Sequence, residues 1–214
     1  VVSQPVKQTY NFTATVESSI KNSIAPSTPI RIREIKVEVG DYVSKGQKLV
    51  QTDLVNLSKA QTEVNDLQRE FDRLDELFKV GGASKQQLDQ LKTKLDVAKT
   101  SLNNLSENTF LVSPISGVVT SRNYDNGDLY NAQKAILTIE QLNPVKLVIN
   151  VSEKFFAKVK LGMNVDVKLD VYENETFKGK VSLIYPTIDQ STHTFPVEIT
   201  VNNGNMKVRP GMFA

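Results

Sequence analysis

The most regular hydrophobic pattern of this chain runs from Leu54 to Leu105 and predicts two amphipathic helices. Apolar residues alternate at steps of three and four, as in a heptad repeat, and charged or amide side chains fill most positions between them. The first arm carries Leu57, Ala60, Val64, Leu67, Phe71, Leu74 and Phe78, and the second carries Leu88, Leu91, Leu95, Ala98, Leu102 and Leu105. Two such narrow stripes are expected to pack on each other as an antiparallel coiled coil. Each arm has about 25 residues and should extend roughly 35 to 40 Å.

The residues between the two arms are those that end one helix and begin another. Gly81 and Gly82 can adopt the left-handed conformation that terminates a helix. Ser84 can cap the next helix, and Gln87 stands three residues later, as in a capping box. The sequence therefore predicts a helical hairpin with its turn at Gly81 and Gly82.

Alternating patterns of strand type lie on both sides of the hairpin. Short runs precede it and follow it, whereas the runs after Asn143 are longer. The later runs cover residues 145–151, 165–171, 177–185 and 197–201. One short capped helix is predicted at 152–162. Evenly spaced strands with a single short helix favour a small antiparallel β-barrel, which the N-terminal strand near Tyr10 to Val16 would complete.

An internal repeat flanks the hairpin. Residues 37–53 align with residues 124–140, so that Gly40-Asp41 matches Gly127-Asp128 and Leu49-Val50 matches Ile136-Leu137. Neither half buries a core alone, so we expect the two halves to fold only together, related by pseudo-symmetry. The hairpin leaves the end of the first half and returns at the start of the second, so its two ends must lie close together.

Composition and charge exclude several classes of function. The chain has 214 residues and a net charge of +2, with basic and acidic residues interspersed, which gives no electrostatic case for binding nucleic acid. It has no cysteine and one histidine, so thiol catalysis and thiolate metal sites are excluded, and a zinc or copper site is disfavoured. No catalytic, cofactor-binding or metal-binding residues are predicted. No run of residues approaches the length of a transmembrane helix.

Five segments, in this order, resemble motifs of the periplasmic adaptor proteins, also called membrane fusion proteins, of tripartite efflux pumps. They are Ile35-Lys-Val-Glu-Val-Gly-Asp-Tyr-Val-Ser-Lys-Gly-Gln-Lys-Leu, Ser113-Pro-Ile-Ser-Gly-Val-Val, Gly179-Lys-Val-Ser-Leu-Ile-Tyr-Pro, Asp189-Gln-Ser-Thr-His-Thr and Val208-Arg-Pro-Gly-Met-Phe. His193 departs from the family pattern, which often has arginine between two threonines, and its role is left open.

The resemblance implies a mainly β fold with an α-helical coiled-coil hairpin. A lipoyl-like domain, or barrel-sandwich hybrid, would be split by the hairpin and followed by a small antiparallel β-barrel. The implied divisions are 1–7, the edge of a truncated membrane-proximal domain; 8–18, the first barrel strand; 19–53, lipoyl-like half 1; 54–108, the hairpin; 109–141, lipoyl-like half 2; and 142–214, the barrel. Both ends of the sequence look like edges of a longer protein, so a membrane anchor is expected outside it.

The resemblance also implies a channel-binding site at the hairpin tip. Adaptors of this family contact the outer-membrane channel through an arginine, a leucine four residues later and a serine seven residues after that. Arg73, Leu77 and Ser84 meet this spacing. Against that, an arginine on a coiled coil is usually a solvated surface residue, Leu77 can simply pack at the tip, and Ser84 is in any case a helix cap.

The function implied is that of a periplasmic adaptor, without enzymatic activity or cofactor, in a tripartite pump. Its partners would be an outer-membrane channel, an inner-membrane transporter of the RND type, and further copies of itself in a ring expected to be a hexamer. The full-length protein would be anchored to the inner membrane in the periplasm. One alternative is an adaptor of an ABC-type exporter or a type I secretion system. A more remote one is a lipoyl or biotinyl carrier domain, although the hairpin replaces the turn that carries the modified lysine there.

Overall fold

The computed structural model describes residues 9–214, so the predicted domain edge at residues 1–7 lies outside the described residues. The chain divides into two compact units. One comprises Asn22–Ile139, and the other combines the described part of Val1–Lys21 with Glu140–Ala214. Each unit has its own cluster of buried apolar side chains.

The described residues form strands on both sides of a pair of helices. The strands are β1 (Val16–Ile24), β2 (Ile30–Ile35), β3 (Tyr42–Val43), β4 (Lys48–Thr52), β5 (Phe110–Val112), β6 (Gly117–Arg122), β7 (Leu129–Tyr130), β8 (Leu137–Ser152), β9 (Asn164–Lys168), β10 (Thr176–Ile184) and β11 (Thr194–Val201). The helices are α1 (Val55–Lys79) and α2 (Lys85–Thr109). A 3₁₀ turn at Glu153–Phe155 stands where the short helix at 152–162 is predicted, and the Ser152 side chain does not cap it.

The helices α1 and α2 form the predicted hairpin in the unit Asn22–Ile139. Each has 25 residues. Their stripes face each other, and Val64 on α1 and Leu91 and Leu95 on α2 are buried. The hairpin is joined to the β-structure where β4 pairs antiparallel with β5. The Thr52 hydroxyl donates to the carbonyl oxygen of Asn108 at 3.0 Å, so the two ends of the hairpin do lie close together.

The two halves of the repeat exchange strands within this unit. In half 1, β3 pairs with β6 of half 2, and in half 2, β7 pairs with β2 of half 1. The two turns are equivalent in detail: Gly40 and Gly127 have φ of +101° and +94°. The Gly40 amide donates to the carbonyl of Val119 at 2.9 Å, and the Gly127 amide donates to the carbonyl of Ile32, also at 2.9 Å. Because each turn bonds to the other half, the halves depend on each other to satisfy their backbone groups.

Both halves also supply the core of this unit. Leu49 and Val50 and their counterparts Ile136 and Leu137 are all almost completely buried. Further members of the cluster are Ile24, Ile32, Ile35, Val37, Val43, Leu111, Val119, Tyr130 and Ile139. Within the described residues, no residue of α1 or α2 belongs to this core, so the sheets and the helices bury separate apolar surfaces.

The unit that contains Glu140–Ala214 is an antiparallel sheet in the order β8-β11-β10-β9, with β1 also paired to β8. The end of the chain pairs with the segment before β1, since the amides of Ala14 and Ala214 each donate to the other's carbonyl at 2.9 Å. Phe195, Val145 and Leu169 are almost completely buried in its core.

The structure refines the prediction for the N-terminal strand. That strand begins at Val16, not near Tyr10. Residues 9–13 are exposed, and the Tyr10 ring instead packs on Phe155, with 4.5 Å between ring centroids. Over the described residues the hydrogen-bonded strand order is open. The predicted fold class, mainly β with a helical hairpin, is confirmed. Neither helix of the described chain is long and apolar enough to cross a membrane.

Candidate functional site

At the hairpin tip, α1 ends in a Schellman motif. The Gly82 amide donates to the carbonyl of Leu77 at 2.8 Å, and the Gly81 amide donates to that of Phe78 at 3.0 Å. This pair of bonds satisfies two carbonyls that the helix end would otherwise leave open. Gly81 occupies the left-handed position, with φ of +80°. The turn is therefore defined by hydrogen bonds and does not depend on the partner helix alone.

On the other side of the turn, α2 begins with the predicted capping box. The Gln87 amide donates to Oγ of Ser84 at 3.3 Å, and the Ser84 amide donates to Oε1 of Gln87 at 2.9 Å. Ser84 has an extended backbone, as an N-cap residue should. Both residues are exposed at the surface of the tip, so the side chain of Ser84 is held by the cap but remains accessible.

Apolar side chains become exposed toward the tip. Leu77 is 50% exposed and Val80 is 81% exposed. Phe78, the last residue of the α1 stripe, is also partly exposed. The stripe loses its cover because α1 ends at Lys79 and α2 begins only at Lys85, so little of α2 is available to pack on it. The tip thus presents an apolar surface that the hairpin itself does not cover.

Cationic side chains flank this apolar surface. Arg73 is exposed, and its Nε lies 3.4 Å from the carbonyl oxygen of Arg69, a long contact that leaves the rest of the guanidinium available. Lys79 pairs with Asp75 one turn earlier, at 2.6 Å between Nζ and Oδ2. A hydrogen bond with the Asp75 carboxylate raises the pKa of Lys79 above its ordinary value.

The structure places the three predicted site residues around one tip. Arg73 and Leu77 are four residues apart on α1, which puts them on the same face about 6 Å apart along the helix axis. Ser84 lies across the turn, at the start of α2. Sequence reasoning missed Val80 and assigned Phe78 to the stripe. The sequence could have indicated this exposure, because only six residues separate Phe78 from the cap residue Ser84. So short a turn leaves no residues of α2 to cover the end of the stripe.

The chemistry available at the tip is binding, because its groups are apolar side chains, cations and a capped hydroxyl. Over residues 9–214, no cluster of three or more histidine, aspartate or glutamate side chains could hold a metal ion.

A β-domain interrupted by a projecting helical hairpin, with an uncovered apolar and cationic tip, defines a scaffold of the adaptor class. Comparison with known proteins shows which family the chain resembles. Residues 144–214 match the family described as the CusB-like, β-barrel domain. The putative membrane fusion protein SilB of Salmonella typhimurium is 23% identical over 82% of this chain and 40% of its own length.

Solved structures share the fold. The crystal structure of ZneB from Cupriavidus metallidurans matches 95% of this chain and 68% of its own, with 25% identity and a TM-score of 0.63. A MacA–MexA chimera with the α-hairpin domain of Pseudomonas aeruginosa MexA matches 94% of this chain and 78% of its own, with 22% identity and a TM-score of 0.75. Residues 144–214 thus match a domain of the membrane fusion proteins, or periplasmic adaptors, and the chain resembles proteins of this family along most of its length. It spans about half the length of the curated relatives it matches.

Proposed function

We propose that this chain is the channel-facing part of a periplasmic adaptor in a tripartite efflux pump, and that its hairpin tip docks on an outer-membrane channel. The observation that carries the proposal is the tip itself. Two capped helix ends hold Leu77 and Val80 uncovered beside Arg73, in a chain that resembles the adaptors along most of its length. Exposed apolar side chains on a rigid turn are unfavourable in water and are typical of a binding surface.

Docking would use the two kinds of group at the tip differently. Covering the exposed half of Leu77 is worth about 1 to 1.5 kcal/mol, or roughly tenfold in affinity. Arg73 would donate to backbone carbonyls or carboxylates of the channel, which sets orientation as well as affinity. Because the turn is already ordered by its own hydrogen bonds, little conformational entropy is lost when the tip binds.

The rest of the assignment follows from the family. The full-length protein would lie in the periplasm, attached to the inner membrane, and would link a transporter there to the channel. The RND type is favoured over an ABC-type exporter, because the family matched by residues 144–214 is of the RND class. Copies of the chain would assemble into a ring, with six copies expected. The adaptor would couple and seal the conduit and would catalyse no reaction.

The test is a binding assay between the full chain and purified outer-membrane channels from the same genome. Leu77→Ala is expected to weaken binding about tenfold, and Arg73→Ala to weaken it by a similar factor. Two matched variants lie near the base of the same helix. Val55→Ala removes a side chain that is 56% exposed, and Lys59→Ala removes an exposed cation.

The controls decide what a loss of affinity means. Circular dichroism should show that all four variants keep the helix content of the wild type. If Val55→Ala and Lys59→Ala weaken binding as much as the tip variants do, the tip is not the docking site. If the wild type binds no channel, even at concentrations at which it forms rings, the adaptor proposal is overturned.

A further inference from the structure

The connection between β8 and β9, residues 153–163, combines apolar and basic side chains at the surface of the unit that contains Glu140–Ala214. It carries Phe156, Leu161 and Met163, which are exposed, together with three lysines, Lys154, Lys158 and Lys160. We call these six residues the β8–β9 patch. Leu161 is 65% exposed, so the patch displays a large apolar side chain to solvent.

The segment is anchored, so the exposed side chains are displayed in a defined way. Phe155 and Val159 point inward and pack against the core. The Tyr10 ring lies on Phe155 at 4.5 Å, and Phe156 meets the buried ring of Phe195 edge-on, with 5.2 Å between centroids. Phe155, Val159 and one side of Phe156 therefore hold the segment to the sheet, while Leu161 and Met163 are exposed.

The charge around the patch is positive. A fourth lysine, Lys180 on β10, adjoins it, since its Cε lies 3.4 Å from where a Cβ on Gly162 would stand. Within residues 9–214, none of Lys154, Lys158, Lys160 and Lys180 has a carboxylate within ion-pair distance. The one acidic residue of the segment, Glu153, lies 3.5 Å from Nδ1 of His193.

The connection at the other end of β9 and β10 has the opposite charge. Residues 169–175 carry three acidic side chains, Asp170, Glu173 and Glu175, and no lysine or arginine, although Glu175 pairs with Lys207 from elsewhere in the chain. It also has an exposed apolar residue, Val171, which is 65% exposed like Leu161. Leu161 and Val171 thus match in fractional exposure, while the two connections differ in the sign of their charge.

We propose that the β8–β9 patch docks on the surface of an anionic lipid bilayer. Its partner would have both an apolar layer and a layer of negative charge, which are the two layers of such a surface. Leu161, Met163 and the exposed part of Phe156 would enter the boundary between headgroups and acyl chains. The lysines, of which Lys154 and Lys158 also lie over the Phe155 ring, would lie among the lipid phosphates. The inference goes beyond the proposed efflux function, because it assigns direct lipid contact to residues away from the hairpin.

The experiment is cosedimentation of the full chain with phosphatidylcholine vesicles that contain or lack phosphatidylglycerol. Binding is expected to the anionic vesicles only, and to fall at high salt because the lysine contribution is screened. Leu161→Ser should weaken binding to anionic vesicles about tenfold. The double variant Lys160→Gln and Lys180→Gln should weaken it by at least as much.

Matched controls come from the same sheet. Val171→Ser removes an apolar side chain of equal exposure from the acidic connection, and Lys168→Gln with Lys178→Gln removes the same amount of charge from the strands. The affinity of these control variants for anionic vesicles should be within about twofold of that of the wild type. Equal losses in the controls would overturn the assignment to the patch.

Two other outcomes would also overturn the proposal. One is equal binding to neutral and anionic vesicles. The other is the absence of binding to anionic vesicles. If the same chain binds the purified inner-membrane transporter, and Leu161→Ser abolishes that binding, the occupant of the patch is a protein. Arg73→Ala and Leu77→Ala should leave vesicle binding unchanged, so lipid docking and channel docking can fail separately.

Discussion

At the residue scale, the two glycines of the hairpin turn have different physical roles. Gly81 has φ of +80°, a conformation that side chains with a Cβ rarely adopt. Gly82 has an ordinary backbone, and a Cβ added there would lie 3.6 Å from Cδ2 of Leu77 and 3.4 Å from its carbonyl oxygen, both ordinary contact distances. Only the first position therefore requires glycine.

We predict opposite effects for alanine at these two positions. Gly81→Ala should destabilise the hairpin by about 1 kcal/mol, because alanine is strained in the left-handed conformation. Gly82→Ala should stabilise it by about 0.4 to 1 kcal/mol, since it restricts the unfolded chain and adds contact with Leu77. Urea unfolding followed by the helical circular dichroism signal measures both. Equal destabilisation by the two variants would contradict this account.

At the scale of the element, the hairpin depends on a stripe of apolar contacts and on its caps. The stripe is buried in the middle of the hairpin, at Val64, Leu91 and Leu95, and uncovered at the tip. The caps compensate at the tip, because they satisfy backbone groups that packing there does not protect. The surface offered for docking is thus made available by the local ending of the coiled coil.

The capping and docking roles of Ser84 can be separated by substitution. Ser84→Ala should destabilise the hairpin by about 1 kcal/mol, whereas Ser84→Asn should retain most of the stability, since asparagine is also a good N-cap residue. If Ser84 serves only as a cap, Ser84→Asn will bind the channel like the wild type. Weak channel binding by a Ser84→Asn variant of normal stability would show that the serine itself contacts the channel.

At the scale of the whole molecule, the hairpin is an insertion into a β-structure that folds around its own core. The core cluster of the unit Asn22–Ile139 contains no residue of α1 or α2. The strands β4 and β5 that carry the hairpin pair directly, and Asn108 bonds to Thr52 and to Ser27 beside them. The two halves of the repeat are joined through their turns at Gly40 and Gly127.

We therefore predict that the hairpin can be excised without unfolding the β-structure. Replacing residues 54–107 by a short glycine-serine linker should leave β4 and β5 paired as a simple hairpin, because Asn108 and its hydrogen bonds are retained. Amide NMR spectra should keep the dispersion of a folded sheet while the helical signal is lost.

A chain that begins at residue 54 is the complementary variant. It lacks the first half of the repeat, so the carbonyl of Val119 and the amide of Gly127 lose their partners, and the unit should fail to fold. A folded second half in that variant would show that the two halves of the repeat do not depend on each other. An unfolded sheet after excision of the hairpin would show that the β-structure depends on the hairpin.

Local patterns were sufficient to predict the elements. The three-four alternation of Leu57 to Leu105 predicts two helices, and Ser84 with Gln87 predicts the cap, because helix periodicity and capping depend only on residues three or four apart. The repeat of Gly40-Asp41 at Gly127-Asp128 likewise predicts two equivalent turns. These features arise from short-range sterics and hydrogen bonds, which the sequence specifies directly.

Other features depend on contacts between residues far apart in the chain and became evident only in the tertiary structure. Which strands the two halves exchange is set by pairs such as Tyr42 with Val118 and Ile30 with Tyr130, which are far apart in the sequence. The later start of β1 at Val16 is set by partners near the other end of the sequence, Met212 and Phe213. The exposure of Phe78 depends on where α2 begins, and the basic patch beside Leu161 depends on Lys180 from another strand. The exposure of a side chain and the charge around it depend on neighbours from other segments of the chain. The periodicity of a single segment therefore cannot predict them.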